Sequence, residues 1–403
     1  MDICIIGGGA SGMILASKIH NKKVTIFDTN SKLGKKLLMT GNGKCNFTNG
    51  DFSNIDEVYN NDFARAVYNR YDNKSFIDYL ESIGVVSKLV MHRELKCYYP
   101  NTNKATSVYF CLLDEIKNNK HVIINDSTID KVSFSNNKFT VEANNKKYIF
   151  DKVVVATGGT TYPKTGSNGI GYKIAKDFYH NVIKPIPGLC GLKYSDSDLK
   201  KIESIRVDAK VKAFIASNDK MLCEEVGEIQ FSENFISGIP IFNISRKVAR
   251  YIDEKQDISI RFDFVFDIDN IKAYLLNRKN NLKYKNTKYF LSGMLPDEIS
   301  KVILHRANID DKAVAELTDK DILSLLNQLT EFKVSICGLN SENAQITLGG
   351  VDTSEVDEKN LESKLVPGLY FIGEVLDIDG RCGGYNLQLA YATASIVADD
   401  LGN

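Results

Sequence analysis

The feature that most constrains this chain stands at its N-terminus. A short apolar strand pattern at residues 2–6 runs straight into Gly7-Gly8-Gly9-Ala10-Ser11-Gly12. That run fits G-x-G-x-x-G, and a helix pattern over 12–20 with a second strand pattern over 23–28 completes a βαβ unit. In this context each glycine has a task. Gly7 permits the tight turn, Gly9 lets backbone approach a pyrophosphate, and Gly12 lets the helix pack close to the strand. The unpaired N–H groups at the helix start then face an anion. Asp28 closes the second strand, where a carboxylate suits the ribose hydroxyls of an adenosine. The run predicts a dinucleotide site and leaves open which dinucleotide.

Length sets the frame around that unit. At 403 residues, two or three domains are expected. Residues 31–50 are polar and glycine-rich, as in a functional loop, and helical patterns follow at 64–84 and 104–118. Three β-like runs, 127–134, 138–143 and 147–150, lie between Asn/Lys-rich turns and read as a meander. An apolar strand at 152–156 ends in Thr157-Gly158-Gly159, and Pro185 and Pro187 mark an exit from this first domain. Beyond them Val207, Ala209, Val211, Ala213 and Ile215 alternate with period two, as in half-buried antiparallel strands. Residues 297–332 turn helical, with Thr318 and Asp321 spaced as a capping box and Ile322, Leu325, Leu326 and Leu329 on one face. The stretch 190–340 therefore reads as a β module carrying a helical piece. From residue 368 the α/β character returns, with a strand at 369–373, a glycine turn at 380–384 and a helix at 385–401.

Charge and cysteine usage narrow the function classes. Lys plus Arg and Asp plus Glu balance at 51 each, so nothing pulls the chain as a whole toward nucleic acid or an anionic membrane. The start lacks the basic and long apolar stretch of a secretory signal, and no window approaches the ~20 apolar residues of a membrane span. A cytoplasmic protein is expected. The eight cysteines form no C-x-x-C pair and the five histidines are dispersed, so free thiols and no metal site are expected.

Two distant segments choose among dinucleotides. Residues 153–159, VVVATGG, resemble the A-T-G turn beneath the flavin in flavoproteins with two dinucleotide-binding folds. Residues 368–374, GLYFIGE, resemble the strand-G-D/E motif of the same proteins, whose acid binds the ribityl chain; that role falls to Glu374. Both point to FAD. Gly383-Gly384-Tyr385-Asn386 then opens a helix, whose N-terminus would favour the negative charge that reduction places on the flavin.

Residues 32–49, KLGKKLLMTGNGKCNFTN, resemble the G-R-K-L-x-x-S-G-G-G-R-C-N-x-T-N signature of a bacterial flavoprotein family. That family includes BaiN-like proteins, associated with bile-acid reduction, and aminoacetone-oxidase-like FAD enzymes. Segments 93–105, 156–171, 227–245, 347–351 and 373–392 resemble it too, so the similarity spans nearly the whole chain. The resemblance implies an α/β fold: a Rossmann-type, two-dinucleotide-binding FAD domain (residues 1–189 and 341–403). It would be interrupted by a β-barrel module (190–262 and 333–340) and a small helical subdomain (263–332). Carried over by position, the cofactor shell comprises Gly7, Gly9, Ala10, Ser11, Gly12, Asp28, Thr29, Lys36, Lys44, Cys45, Asn46, Ile129, Thr157, Gly158, Gly373, Glu374, Gly384, Asn386 and Leu387. Departures exist. Lys44 stands where Arg is usual and lacks its planar fork, Asn42 replaces a Gly, Glu233 replaces a frequent His, and Cys382 holds a usual Thr position beside Arg381.

Negative evidence narrows the reaction. Cys45 has no second cysteine four or five residues on, which argues against redox-disulfide chemistry and for a small packed residue. No second strand-G-x-G-x-x-G unit appears, and residues 166–171 read as a loop and helix start. NAD(P)H would therefore act only as a transient electron donor. Tyr162, His92, Glu233 and Arg381 are polar residues in or near the matched motifs, and none forms a catalytic constellation, so the catalytic residue stays unknown. The expected function is an NAD(P)/FAD-dependent oxidoreductase moving hydride between flavin and a small organic substrate held between the FAD domain and the insert. Alternatives are an amine oxidase of aminoacetone-oxidase type and, from another class, an FAD-binding redox sensor without turnover or an RNA-modifying flavoprotein. The last conflicts with the balanced charge.

Overall fold

A computed structural model describes residues 1–92 and 95–402, with the side chain of His92 outside the described set, as are Arg93 and Glu94 at the head of the 93–105 segment. The chain forms two compact units, Met1–Pro187 with Gln345–Asn403, and Gly188–Ala344.

The first unit is built on a five-stranded parallel sheet. Its order is Leu369–Phe371, Lys152–Val155, Asp2–Ile6, Lys23–Phe27 and Val122–Ile124. The first strand of the chain lies at the centre, with Ile3, Cys4 and Ile5 fully buried. Burial on both faces explains its unbroken apolar run, since a parallel strand covered on each side has no solvent face. The C-terminal helix Tyr385–Gly402 is apolar nearly all round and buried nearly all round, and it packs against the first helix, Ala10–Lys18. Both chain ends thus meet in one layer.

The meander forms as read, and its turns have a local cause. Strands Ile129–Ser135, Lys138–Ala143 and Lys146–Phe150 are joined by Asn136-Asn137 and Asn144-Asn145. All four asparagines have φ between 50° and 60°. Two-residue hairpins need positive φ at both central positions, and asparagine tolerates it better than other side chains. Elsewhere the structure differs from the sequence pattern. The helical pattern over 64–84 is two helices, Asp62–Arg70 and Asn73–Ser82, because the Asp72 carboxylate accepts from Ser75 N–H and starts a new helix. A hairpin of Ser87–His92 with Leu95–Pro100, extended by Thr48–Asn49, has no counterpart in that reading.

The second unit holds a closed six-stranded antiparallel barrel. Its strands are Gly191–Tyr194, Phe235–Ser237, Lys220–Phe231, Arg206–Ile215, Ile258–Asp263 and Phe332–Asn340. Ala209, Val211 and Ala213 point inward and are fully buried, as their alternation requires. Helix Ile239–Asp253 lays Ile241, Ile244 and Val248 against the barrel strands. The capping box at Thr318 and Asp321 is present and starts helix Asp319–Thr330, which buries Ile322, Leu325 and Leu329. Barrel and helices share one hydrophobic core.

Candidate cofactor site

The glycine turn is fixed by contacts that no side chain would survive. Gly7 has φ +104°, and a Cβ there would stand 2.5 Å from the Ala156 carbonyl oxygen. A Cβ on Gly12 would stand 2.0 Å from the Gly7 oxygen. At Gly9, by contrast, a Cβ would meet nothing within 4 Å. The same holds at Gly158, which has φ +68°. The first helix has no side-chain cap at Gly9. The N–H groups of its first turn, Ala10 to Gly12, therefore look for an acceptor outside the helix. Open space, free amides and positive helix end coincide, the arrangement a diphosphate needs.

Asp28 braces this turn. One of its carboxylate oxygens accepts Gly8 N–H at 2.8 Å, and the other accepts both the backbone and side-chain amides of Asn30 at 2.8 Å. Thr29 is half-buried beside it, and the Asn30 amide also reaches the Thr165 carbonyl at 2.9 Å. Ile129 is buried at the start of the meander. Ser127 donates its N–H to the Asp28 carbonyl at 2.9 Å, while its buried hydroxyl has no partner among the described residues. An orphaned hydroxyl at this strand end fits a ligand with polar edges.

A second cluster joins four segments. The Lys36 ammonium lies 2.8 Å from one Glu374 oxygen and 3.1 Å from the Thr161 hydroxyl. The other Glu374 oxygen accepts Thr347 N–H at 2.7 Å and the Thr161 hydroxyl at 3.3 Å. Gly373, with φ +71°, brings this turn so close to the first helix that a Cβ would stand 2.7 Å from the Ser11 hydroxyl. Counting valences, the oxygen facing Lys36 keeps one acceptor site and Lys36 keeps one donor. A group able both to donate and to accept, such as a sugar-alcohol hydroxyl, matches that pair.

The remaining expected residues are also located. Thr157 backs onto the helix Ile170–Asp177, where a Cβ on Gly171 would stand 2.1 Å from its hydroxyl. Residues 166–171 form a loop and the start of that helix, with Gly169 as its N-cap at φ +76°. Lys44 is exposed. Cys45 is fully buried at φ +59°, and burial pushes its thiol up to about 12. So high a value leaves almost no thiolate near neutral pH. The Asn46 amide, with its nitrogen toward Thr48 and Tyr98, donates to their carbonyls at 3.0 and 3.2 Å. Gly384, at φ +95°, passes so close to Thr48 that a Cβ would meet its carbonyl oxygen at 2.7 Å. Asn386 clasps both the N–H and the carbonyl of Gly380, at 2.8 and 2.9 Å, and so shapes the 380–386 turn. Leu387 is half-buried against the core.

The polar residues considered for acid–base work are placed as follows, His92 having its side chain outside the described set. Tyr162 is half-buried at φ +55°, Arg381 lies 3.7 Å from Glu57, and Glu233 is exposed in the second unit. Among the described residues there is no group of His, Cys, Asp or Glu able to hold a metal, and no helix is long and apolar enough to cross a membrane. Pattern reading missed Thr161, Thr347, Asn30 and Ser127. Their signal is weak because short hydroxyl and amide side chains are common in any loop.

A family model described as HI0933-like protein Rossmann domain matches residues 1–400. The chain belongs to this HI0933-like family. A curated relative, 3-dehydro-bile acid delta(4,6)-reductase of Clostridium scindens, is 32% identical over 97% of this chain and 96% of its own length. Another, ribosomal RNA dihydrouridine synthase of Escherichia coli, is 30% identical over 99% and 98%. The fold of a solved quinol–fumarate reductase with menaquinol is similar at TM-score 0.51 and 13% identity, covering 100% of this chain and 70% of that one. The expected class therefore holds: this HI0933-like protein is an FAD-dependent oxidoreductase built on a Rossmann-type domain.

Proposed function

We propose that this HI0933-like protein uses FAD to reduce a carbon–carbon double bond conjugated to a carbonyl in a small organic substrate, with NAD(P)H as transient donor. The observation that carries the reaction type is chemical. The two relatives carry names for the same kind of change on different molecules: delta(4,6) reduction of a 3-dehydro-bile acid, and synthesis of dihydrouridine. In both, the double bond that is saturated is electron-poor because a carbonyl withdraws from it.

Residue roles follow from the site. The first-turn amides after Gly9 would hold the diphosphate, and Asp28, which keeps their turn in shape, the adenosine ribose. Lys36 and Glu374 would hold a ribityl hydroxyl between donor and acceptor. Gly158 would leave room for the ring, and the start of the C-terminal helix at Gly384 would offer its positive end. Bound there, FAD would supply the two-electron redox chemistry that saturating such a double bond requires.

The RNA relative supports a second reading, in which the reduced base is a uracil in RNA. The equal totals of 51 basic and 51 acidic residues favour the small substrate. Anaerobic mixing of flavin-loaded protein with NADH, then NADPH, tests the donor. Bleaching of the oxidised flavin band within seconds is the expected result. A band that only dithionite bleaches would contradict the reductase reading and direct the search to amines.

A further inference from the structure

Thr347 is the residue on which the flavin-side cluster turns. It lies in strand Ile346–Val351 and is 1% exposed. Its hydroxyl accepts Thr160 N–H at 2.8 Å and Thr161 N–H at 3.2 Å, and donates to the Thr161 hydroxyl at 3.4 Å. Its own N–H donates to Glu374 at 2.7 Å. The buried side chain thus uses every valence it has on residues 160 and 161, while the backbone N–H of the same residue reaches Glu374.

The surrounding glycines show that the chain is shaped around this contact. A Cβ on Gly159 would stand 2.2 Å from the Thr347 hydroxyl oxygen. Gly159 therefore makes room for that hydroxyl, a task distinct from the open backbone at Gly158. On the other side, Gly349 and Gly350 have φ +85° and +141°, and a Cβ on them would stand 2.5 Å from the Lys184 oxygen and 2.6 Å from the Val375 oxygen. The strand is threaded between fixed backbones, so Thr347 has little freedom to shift.

We infer that Thr347 is a positioning residue for FAD. It holds the Thr157–Thr161 loop against the Glu374 turn, so that Thr161 bridges Lys36 and Glu374 and leaves one acceptor and one donor facing the cofactor. The inference rests on the proposed cofactor site. It predicts coupling between a residue that offers the cofactor no free valence and one that does.

The test uses the full chain, stripped of flavin and titrated with FAD. Thr347→Val keeps the shape and removes the hydroxyl, leaving two amides without their acceptor; the Kd for FAD should rise roughly tenfold. Thr347→Ser restores the hydroxyl and should stay within about twofold of the parent. Because Thr347 acts through the cluster, Thr347→Val in a Glu374→Gln background should cost much less than in the parent. Should Thr347→Val fail to fold, Gly159→Ala supplies the same displacement from the other side and should weaken FAD to a similar degree. Parent-like affinity in Thr347→Val, or effects of the two substitutions that simply multiply, would overturn the inference. A parent chain that takes up no FAD would instead overturn the cofactor site, and this inference with it.

Discussion

Glu374 and Lys36 each keep one unused valence, and in the proposed cofactor site both face the ligand. Glu374→Gln retains the size and loses the charge. A charge-assisted hydrogen bond contributes roughly 1.5–3 kcal/mol, so FAD affinity measured by titration should fall about 10- to 100-fold. Asp28 behaves differently, because one of its oxygens already holds the glycine turn at Gly8 and the other holds Asn30. Asp28→Ala should weaken FAD and also lower the melting temperature of the flavin-free chain, whereas Lys36→Met, which breaks a partly exposed ion pair, should act mainly on the first. Cys45 gives a third outcome. With its thiol buried and pushed up to about 12, it is no nucleophile toward a flavin ring. Acid precipitation should release the flavin fully into the supernatant, and yellow colour left on the pellet would contradict that. At this scale the sequence was legible where a residue type has few alternatives. Glycines at positive φ and the acid closing a strand could be placed by pattern. Thr347 could not, since its role arises only when residues 161, 347 and 374 meet.

His180 shows how an element is tied down and what pH does to it. It follows helix Ile170–Asp177, and its side chain is buried edge-on to Phe371 with ring centroids 4.9 Å apart. The Ser363 hydroxyl oxygen accepts Leu365 N–H at 3.0 Å and Val366 N–H at 2.9 Å, so its own proton goes to His180 Nε2 at 2.7 Å. Nε2 is therefore an acceptor, and Nδ1, 3.1 Å from Glu355, carries the ring proton. Burial lowers the imidazole below its ordinary 6.5, outweighing the Glu355 carboxylate that raises it. The unfolded chain then takes up a proton first, so this contribution to stability is present above about 6.5 and is lost as pH falls below it. Denaturant midpoints measured downward from neutral pH should decline, and His180→Gln should flatten the decline. Equal slopes for both proteins would refute the assignment. Element types were readable where local chemistry dominates, as in the paired asparagines of the meander and the capping box at Thr318. The 87–100 hairpin was not, because its residues LVMH and LKCYY alternate poorly and their strand state depends on pairing partners.

At the scale of the whole molecule, sequence order and spatial order part company. The sheet takes strands from residues 2–6 and 369–371 alike, and the C-terminal helix covers the first helix. Residues 188–344 have a core of their own. Expressed alone, that segment should unfold cooperatively and bind no flavin, whereas removal of residues 385–403 should leave the first unit unable to fold, as solubility and circular dichroism would show. The return of α/β pattern after residue 368 reveals the split in advance. The barrel's closure is not visible, since alternation marks a strand without naming its neighbour. The proposed function sends reducing equivalents from this protein to an electron-poor double bond. Its most direct test is to reduce the flavin-loaded protein without oxygen and add a small conjugated enone. The oxidised flavin band should return and the saturated ketone appear in equal amount. A band that stays bleached with enones and with RNA uracil, and returns only when oxygen is admitted, would contradict it.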